Sequence, residues 1–267
     1  MYSNLQPYVI DRKPPMGAVR NPHLSINRGI VGDWLMNEGS GNIFDLSGNG
    51  HTGTLNGNVG WGTGKFGSAL NFPGAAGDYV TSGYHNQLRL VSGTMICWFK
   101  TSASDDNNII SLFYDVSNRT RLLMVSTGVL QAYSKIGGST ISFFQGTIDY
   151  QDDIWHQVAL TWGSDKAAIY VDGLLVASEN GDERLNWAVS PRIELGYYSP
   201  SGYEWDGLID SPMFFNRASS ASEIALLYRE PFCGFRWPNI VQLAAYVAAG
   251  AGSPILQMDH FGGGMVA

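Results

Sequence analysis

Residues 153–178 read DIWHQVALTWGSDKAAIYVDGLLVAS. Two strand-length apolar runs are joined here by a short polar connection, and the second run is broken by Asp172-Gly173 between Val171 and Leu174. An Asp-Gly pair between apolar runs is a strong hairpin signal, because both residues tolerate the positive φ that a tight two-residue turn requires. The stretch therefore predicts consecutive antiparallel strands. The same grain continues on either side, in GIVGDWLM, HTGTLNG, GSALNF, DYVTSG, GTMICWFKT, NIISLFYD, RLLMVST, GVLQAYSK, STISFFQG, RIELGYY and LIDSPMFFNRA. About a dozen short strands at roughly ten-residue spacing predict an all-β chain, an antiparallel two-sheet jelly-roll sandwich. In GTMICWFKT both faces are apolar, with Met95, Cys97 and Phe99 on one and Ile96 and Trp98 on the other. Such a strand is central, with something packed on each side. One short helix is expected over 220–228, where Ser220 and Glu223 form a capping-box pair and Ile224, Leu227 and Tyr228 form an apolar stripe.

Composition agrees with this reading. The 267 residues are 44% hydrophobic and 12% aromatic, enough for a sizeable core, and 33 glycines against 16 Lys and Arg suit tight turns. The net charge of -7 argues against a nucleic-acid partner, which needs a basic face. Two cysteines, Cys97 and Cys233, do not make a disulfide scaffold, and spacing leaves open whether they pair.

The flanks differ from the middle. Residues 1–28 hold Pro7, Pro14, Pro15 and Pro22 and read as an extended arm without an apolar signal-peptide core, so a soluble protein made in the cytoplasm is expected. Residues 230–267 are apolar and Ala-rich, and three readings present themselves: a membrane span, a leftover core helix or a docking arm. The apolar run over 243–252 is about half of the roughly 20 residues a span needs. Pro231, Pro238 and Pro254 cut the segment into pieces. A docking arm carried by Phe232, Phe235, Trp237, Ile240, Leu243, Tyr246 and Val247 is therefore the expectation, with a jelly-roll domain over 29–229 between the two arms.

Four blocks carry a resemblance: VGDWLMNEGSGNIFDLSGNGHTGTLNG, GKFGSALNFPGAAGDYV, WHQVALTWGSDKAAIYVDGLLVAS and WDGLIDSPMFFNRASSASEIALLY. Over residues 29–228 the chain resembles the laminin-G-like or concanavalin A-like jelly-roll domains. That resemblance implies two packed antiparallel sheets and no particular activity, since the fold hosts lectins, glycosidases, adhesion modules and structural domains. LYREPFCGFRWPN also looks like the tail of such domains in bacteriophage and environmental viral sequences.

Two site types follow. Asp45, Ser47 and Asn49 in DLSGNGH supply turn oxygens of the kind Ca2+ takes. The resemblance implies a calcium ion where this loop meets Ile209-Asp210, so Asp45 and Asp210 are expected close together. Ser211 and Pro212 depart from the family's second acid there, and a Gly/Asn turn without metal is the alternative. Sugar contact, the family's other habit, points to the aromatic patch Tyr197, Tyr198, Tyr203 and Trp205, which equally suits a protein partner. Catalysis is not expected. A glycosidase needs two carboxylates flanking the bond, and Glu194 is alone in its apolar strand. Asp206 and Asp210 share a strand face and read as a turn with a structural metal or cap. His156 reads as a packed core-edge histidine, and neither a nucleophile elbow nor a phosphate loop occurs. Two functions remain. One is a non-enzymatic structural protein of a virion, a capsid decoration or tail-associated component held by its arms in a homo-oligomer or capsid lattice. The other is a carbohydrate-binding, lectin-like module that engages cell-surface polysaccharide, with or without calcium.

Overall fold

The computed structural model describes residues 12–197 and 203–235. The strands pair antiparallel into two sheets. The first runs β13 (Leu174–Asn180), β12 (Lys166–Val171), β11 (His156–Trp162), β6 (Gly93–Lys100), β15 (Asp206–Phe215), β4 (Gly67–Pro73) and β3 (Gly60–Gly64), with β1 (Ile30–Asp33) also pairing with β15. The second runs β10 (Ser139–Gln145), β9 (Leu130–Ile136), β8 (Asn118–Met124), β7 (Asn107–Asp115), β14 (Arg192–Leu195), β5 (Tyr79–Thr81) and β2 (Thr54–Asn56). This is the expected jelly-roll sandwich with one α-helix among the described residues, α1 (Ala221–Arg229). The hairpin that opened the sequence reading is β12–β13, and its turn residues Asp172 and Gly173 have φ of 50° and 80°. Strand β3 escaped the sequence reading because three of its five residues are glycine, which carry no hydrophobic signal.

Alternation along each strand decides what each face meets. In β6, Met95, Cys97 and Phe99 enter the core between the sheets, together with Leu70, Phe72, Leu112, Leu122, Leu160, Ile169 and Phe214. Ile96, on the opposite face, joins Ala159, Ala168, Tyr170, Phe215, Ile224 and Leu227 in a second cluster beneath α1. The first sheet is thus apolar on both faces, as β6 implied. Ser220 caps α1: its side chain accepts from the Glu223 N–H, and the Glu223 carboxylate accepts from the Ser220 N–H, which completes the capping box. Cys97 and Cys233 are both buried, lie in different clusters and form no disulfide with each other.

The described parts of both terminal segments belong to this covering layer. Arg20 donates to both oxygens of Asp33 at 2.6 and 2.9 Å, and its guanidinium lies 4.3 Å from the centre of the Phe235 ring. The Gly234 carbonyl accepts from Asn21 N–H at 2.9 Å and from Asn27 Nδ2 at 2.8 Å. A Cβ on Gly234 would lie 2.2 Å from Arg20 Nη1 and from Asn27 Oδ1, so a larger residue there would displace both side chains. Phe232 meets Phe66 edge-on at 5.2 Å, Phe66 meets Trp98 at 5.2 Å, and Trp98 stacks on Tyr228 at 5.6 Å. Phe232 and Phe235 are 1% and 5% exposed. They were expected in a docking arm and instead complete the domain's own core, because the open face of the first sheet lies within their reach. Residues 12–28 likewise pack on the sandwich. Trp237, Ile240, Leu243, Tyr246 and Val247 lie outside the described residues. Among the described residues no helix is long and apolar enough to cross a membrane.

Cutting the chain on either side of residues 232–235 isolates what these residues contribute. Removal of residues 236–267 supplies the reference urea midpoint. Removal of residues 232–267 strips Phe232, Cys233 and Phe235 from the core and should cost at least about 3 kcal/mol, on the scale of a single buried Phe removal. Equilibrium unfolding followed by tryptophan fluorescence measures both.

Candidate functional site

The expected calcium residues separate into two self-contained clusters. Asp45 accepts at Oδ1 from the N–H groups of Asp33 and Ser47, and at Oδ2 from Ser47 Oγ and the His51 N–H, at 2.7–3.0 Å. Four donors fill the roughly four lone-pair positions of a carboxylate. Asn49 Nδ2 donates to the Val31 carbonyl at 3.1 Å, so this loop ties itself to β1. Asp210 lies elsewhere in the network, fully buried against Lys13: its Oδ1 meets Lys13 Nζ at 2.5 Å, and its Oδ2 accepts from the Lys65 N–H at 3.1 Å. Burial pushes Asp210 up and Lys13 down, while their mutual attraction opposes both shifts. Asp45, Ser47, Asn49 and Asp210 therefore do not fit a calcium ion, since Asp45 has no lone pair to give and Asp210 already holds a cation. Among the described residues no cluster of three or more His, Cys, Asp or Glu is arranged to hold a metal.

The second sheet presents a different surface. Ile110, Leu112, Leu122, Met124, Ala132, Ile193 and Leu195 point into the core, which turns their strand neighbours to the outer face. Register then lines up one row across six strands: Thr81, Glu194, Ser111, Arg121, Tyr133 and Phe143. The adjacent row holds Arg192, Phe113, Arg119 and Lys135. Aromatic rings set the guanidinium positions: Arg119 and Arg121 lie 4.9 and 5.3 Å from the centre of Tyr133, and Arg192 lies 5.1 Å from that of Tyr84. Glu194 is 0% exposed. Its Oε1 accepts from Arg192 Nε and Nη2 at 2.9 and 2.6 Å, and its Oε2 has no hydrogen-bond partner. Burial raises its pKa to about 7 against the pull of Arg192. Close by, Asn108 donates through Nδ2 to the Tyr197 carbonyl at 2.7 Å and reaches Ser111 Oγ at 3.4 Å, and its Oδ1 is buried without a partner. Two buried acceptors thus keep spare capacity beneath this face, a costly arrangement in a folded protein. Sequence reading noticed Glu194 as the lone acid in an apolar strand. It missed Asn108, Arg119 and Arg121, which only register brings beside it.

The expected aromatic patch divides. Trp205 is fully buried, edge-on to Phe99 at 5.8 Å, and is a core residue rather than a contact residue. The strand that follows it turns its indole inward. Tyr197 stacks on Tyr79 at 4.8 Å, and Tyr203 lies with Arg121 5.1 Å from its ring centre, so both border the outer face of the second sheet. Tyr198 lies outside the described residues. Asp206 and Asp210 share a face, as their spacing requires, but Asp206 lines an open polar cleft of about 400 Å³ with Lys100, Thr101 and Asp153, away from the Lys13 cluster.

The family follows from this frame and from sequence together. A laminin G family model described as the concanavalin A-like lectin/glucanases superfamily matches residues 73–225, more than half of the chain, and the chain belongs to that family. The fold is shared with the binding domain of Paraclostridial Mosquitocidal Protein 1, with a TM-score of 0.62 at 14% identity over 78% of this chain and 53% of that one. It is shared also with the binding domain of botulinum neurotoxin DC in complex with SialylT, with a TM-score of 0.62 at 16% identity over 76% and 52%. Domain 4 of AbnA, a GH43 extracellular arabinanase from Geobacillus stearothermophilus, in complex with arabinotriose, gives 0.61 at 16% identity over 75% of this chain and 98% of that domain. The chain spans about half the length of the toxin domains. No protein of curated function matches it in sequence.

His156 serves structure. Its Nδ1 meets Asp172 Oδ2 at 2.7 Å and its Nε2 meets Asp152 Oδ2 at 3.1 Å, which ties the 149–154 loop to the β12–β13 turn. The hydrogen bond to Asp172 raises the histidine pKa, opposed by burial and helped by Asp152. A raised folded-state value means that the stabilisation is fully present below the ordinary 6.5 and is lost as pH climbs through the raised value. Replacing His156 by Gln should therefore cost most at pH 6 and least at pH 9. Urea unfolding of both proteins across that range checks it.

Proposed function

We propose that this chain is a non-enzymatic binding module that takes a saccharide on the outer face of its second sheet. The observation that carries the reading is the pair of buried, unsatisfied acceptors, Glu194 Oε2 and Asn108 Oδ1, set among aromatic rings and guanidinium groups. A sugar offers hydroxyl oxygens for the arginines and an apolar ring face for Tyr133 and Tyr84, and its hydroxyls would satisfy the two acceptors once the side chains that cover them move aside. The toxin and arabinanase domains with this fold are seen in complex with SialylT and with arabinotriose, which supports the reading by analogy. Catalysis finds no support on this face. The two rows that contain Glu194 and Arg192 hold no second carboxylate, whereas glycoside hydrolysis uses two.

Placement on a virion remains the reading of the terminal segments. It now concerns residues 236–267 as the anchor, because Phe232 and Phe235 are spent within the domain. Incorporation of a chain lacking residues 236–267 into particles tests it separately.

Glu194→Gln separates binding from folding. It should reduce retention on the bound polysaccharide at least about tenfold, the effect of losing one charge-assisted hydrogen bond. Stability should move the other way. An acid whose folded-state pKa is raised destabilises the fold as pH rises from its ordinary value, 4.5, towards about 7. The variant should thus equal or exceed the wild type at pH 8. A glycan array with a urea titration measures both, and unchanged glycan binding by Glu194→Gln refutes this site.

A further inference from the structure

Two histidines touch at the β2–β5 end of the second sheet. His51 closes the Asp45 loop just before β2, and His85 follows β5. Strands β2 and β5 pair with Thr54 opposite Thr81 and Leu55 opposite Val80. Counted back three residues from Thr54 and on three from Thr81, that antiparallel register sets His51 against Tyr84 and beside His85. The two ring centres lie 4.2 Å apart with their planes at 62°. Register thus brings together two metal-ligating side chains from segments far apart in sequence.

Backbone hydrogen bonds hold both residues in place. The His51 N–H donates to Asp45 Oδ2 at 3.0 Å, and the His51 carbonyl accepts from Trp34 Nε1 at 2.9 Å. The His85 N–H donates to the Pro191 carbonyl at 3.1 Å, and the His85 carbonyl accepts from the Leu88 N–H at 3.1 Å. Gly83 leaves room for the second ring, since a Cβ there would approach His85 Nε2 to 3.1 Å. His51 is 0% exposed, yet neither its Nδ1 nor its Nε2 has a hydrogen-bond partner. A neutral imidazole carries one donor and one acceptor, and leaving both unmet inside a protein is costly. An apolar side chain would fill this space without that cost.

We propose that His51 and His85 form a binding site for a borderline divalent transition metal of the zinc type, with solvent completing the shell on the His85 side. Imidazole nitrogen is a ligand that suits zinc, whereas calcium and magnesium take oxygen. Two imidazoles on one metal, at roughly 2.0–2.1 Å per nitrogen, hold their ring centres about 5 Å apart, so the pair needs to open by about 1 Å. His85, partly exposed, is the less enclosed ring and supplies that movement. Burial lowers the His51 pKa, His85 lowers it further, and Asp45 opposes them. His51 is therefore neutral near pH 7, which keeps a lone pair for a metal and gives an anion nothing to attract it. A metal bound here clasps the loop that precedes β2 to the segment that follows β5. The site is one residue from Tyr84 in sequence, but it takes nothing from the saccharide reading.

Zinc chloride titrated into the untagged full chain tests the proposal. Calorimetry should show one zinc bound per chain with the melting temperature raised by a few degrees, and calcium chloride should produce neither response. His85→Gln should weaken zinc binding at least about tenfold and abolish the rise in melting temperature. In EDTA it should match the wild type, because its ring is partly exposed. His23→Gln combined with His260→Gln should bind zinc as the wild type does. Zinc should also shift the imidazole proton signals of His51 and His85 in the NMR spectrum of the wild type, a readout that needs no variant to fold. Absence of zinc binding by the wild type overturns the proposal. So does equal binding by His85→Gln, or a zinc-induced shift confined to the other three histidines.

Discussion

A sheet that is apolar on both faces cannot stand at the edge of a protein, and that constraint organises this molecule. Strand β6 sends Met95, Cys97 and Phe99 into the sandwich and Ile96 and Trp98 out of it. The inner set is covered by the second sheet. The outer set must be covered by something that is not a strand, and α1 alone reaches only part of it. Residues 12–28 and 232–235 cover the rest, which is why two proline-bearing flanks with little periodicity of their own fold against the domain. Their order is borrowed from the face beneath them.

Covering a face with chain termini brings charge into the interior. Lys13 and Arg20 enter with the N-terminal segment and find Asp210 and Asp33 on β15 and β1. Buried pairs of this kind add little net stability over apolar replacements, but each partner is costly to remove alone. They therefore act mainly as locators, fixing where the segment lies on a surface that is otherwise non-directional. The carbonyls of Met36 and Ser68 do the same work for the lysine, and the positive φ at Met36 shows that backbone conformation has been given up to aim one of them. The same reasoning explains why the Asp45 carboxylate has no lone pair left for a metal. Its turn needs N–H acceptors to close, and the carboxylate is consumed in closing it.

The second sheet solves the opposite problem. Its outer face is polar, and no helix among the described residues packs on it. Yet Glu194, Ser111 and Asn108 on that face are as buried as core residues, and two of their oxygens go unused. The first sheet covers an apolar surface with α1 and the described parts of both terminal segments. The second leaves its outer face uncovered by any described helix, and the proposed binding role rests on that face.

Much of the fold was legible locally. The Asp172-Gly173 turn, the two-faced pattern of β6 and the Ser220–Glu223 capping box each depend on residues within one element, so a window of sequence contains their cause. So does the family, whose matched stretch is contiguous. What sequence could not decide was which elements become neighbours. Asp45 and Asp210 suit one calcium ion by type, but pairing of β1 and β15 gives Asp210 to Lys13 and Asp45 to its own loop. Trp205 sits in an aromatic cluster that reads as surface, yet strand direction at β15 turns it inward. Glu194, Ser111 and Arg121 come from three separated strands and meet only through register. Turn chemistry, periodicity and caps are properties of adjacent residues. A site made across strands is a property of hydrogen-bonded rows, whose register is set by the whole packed sheet.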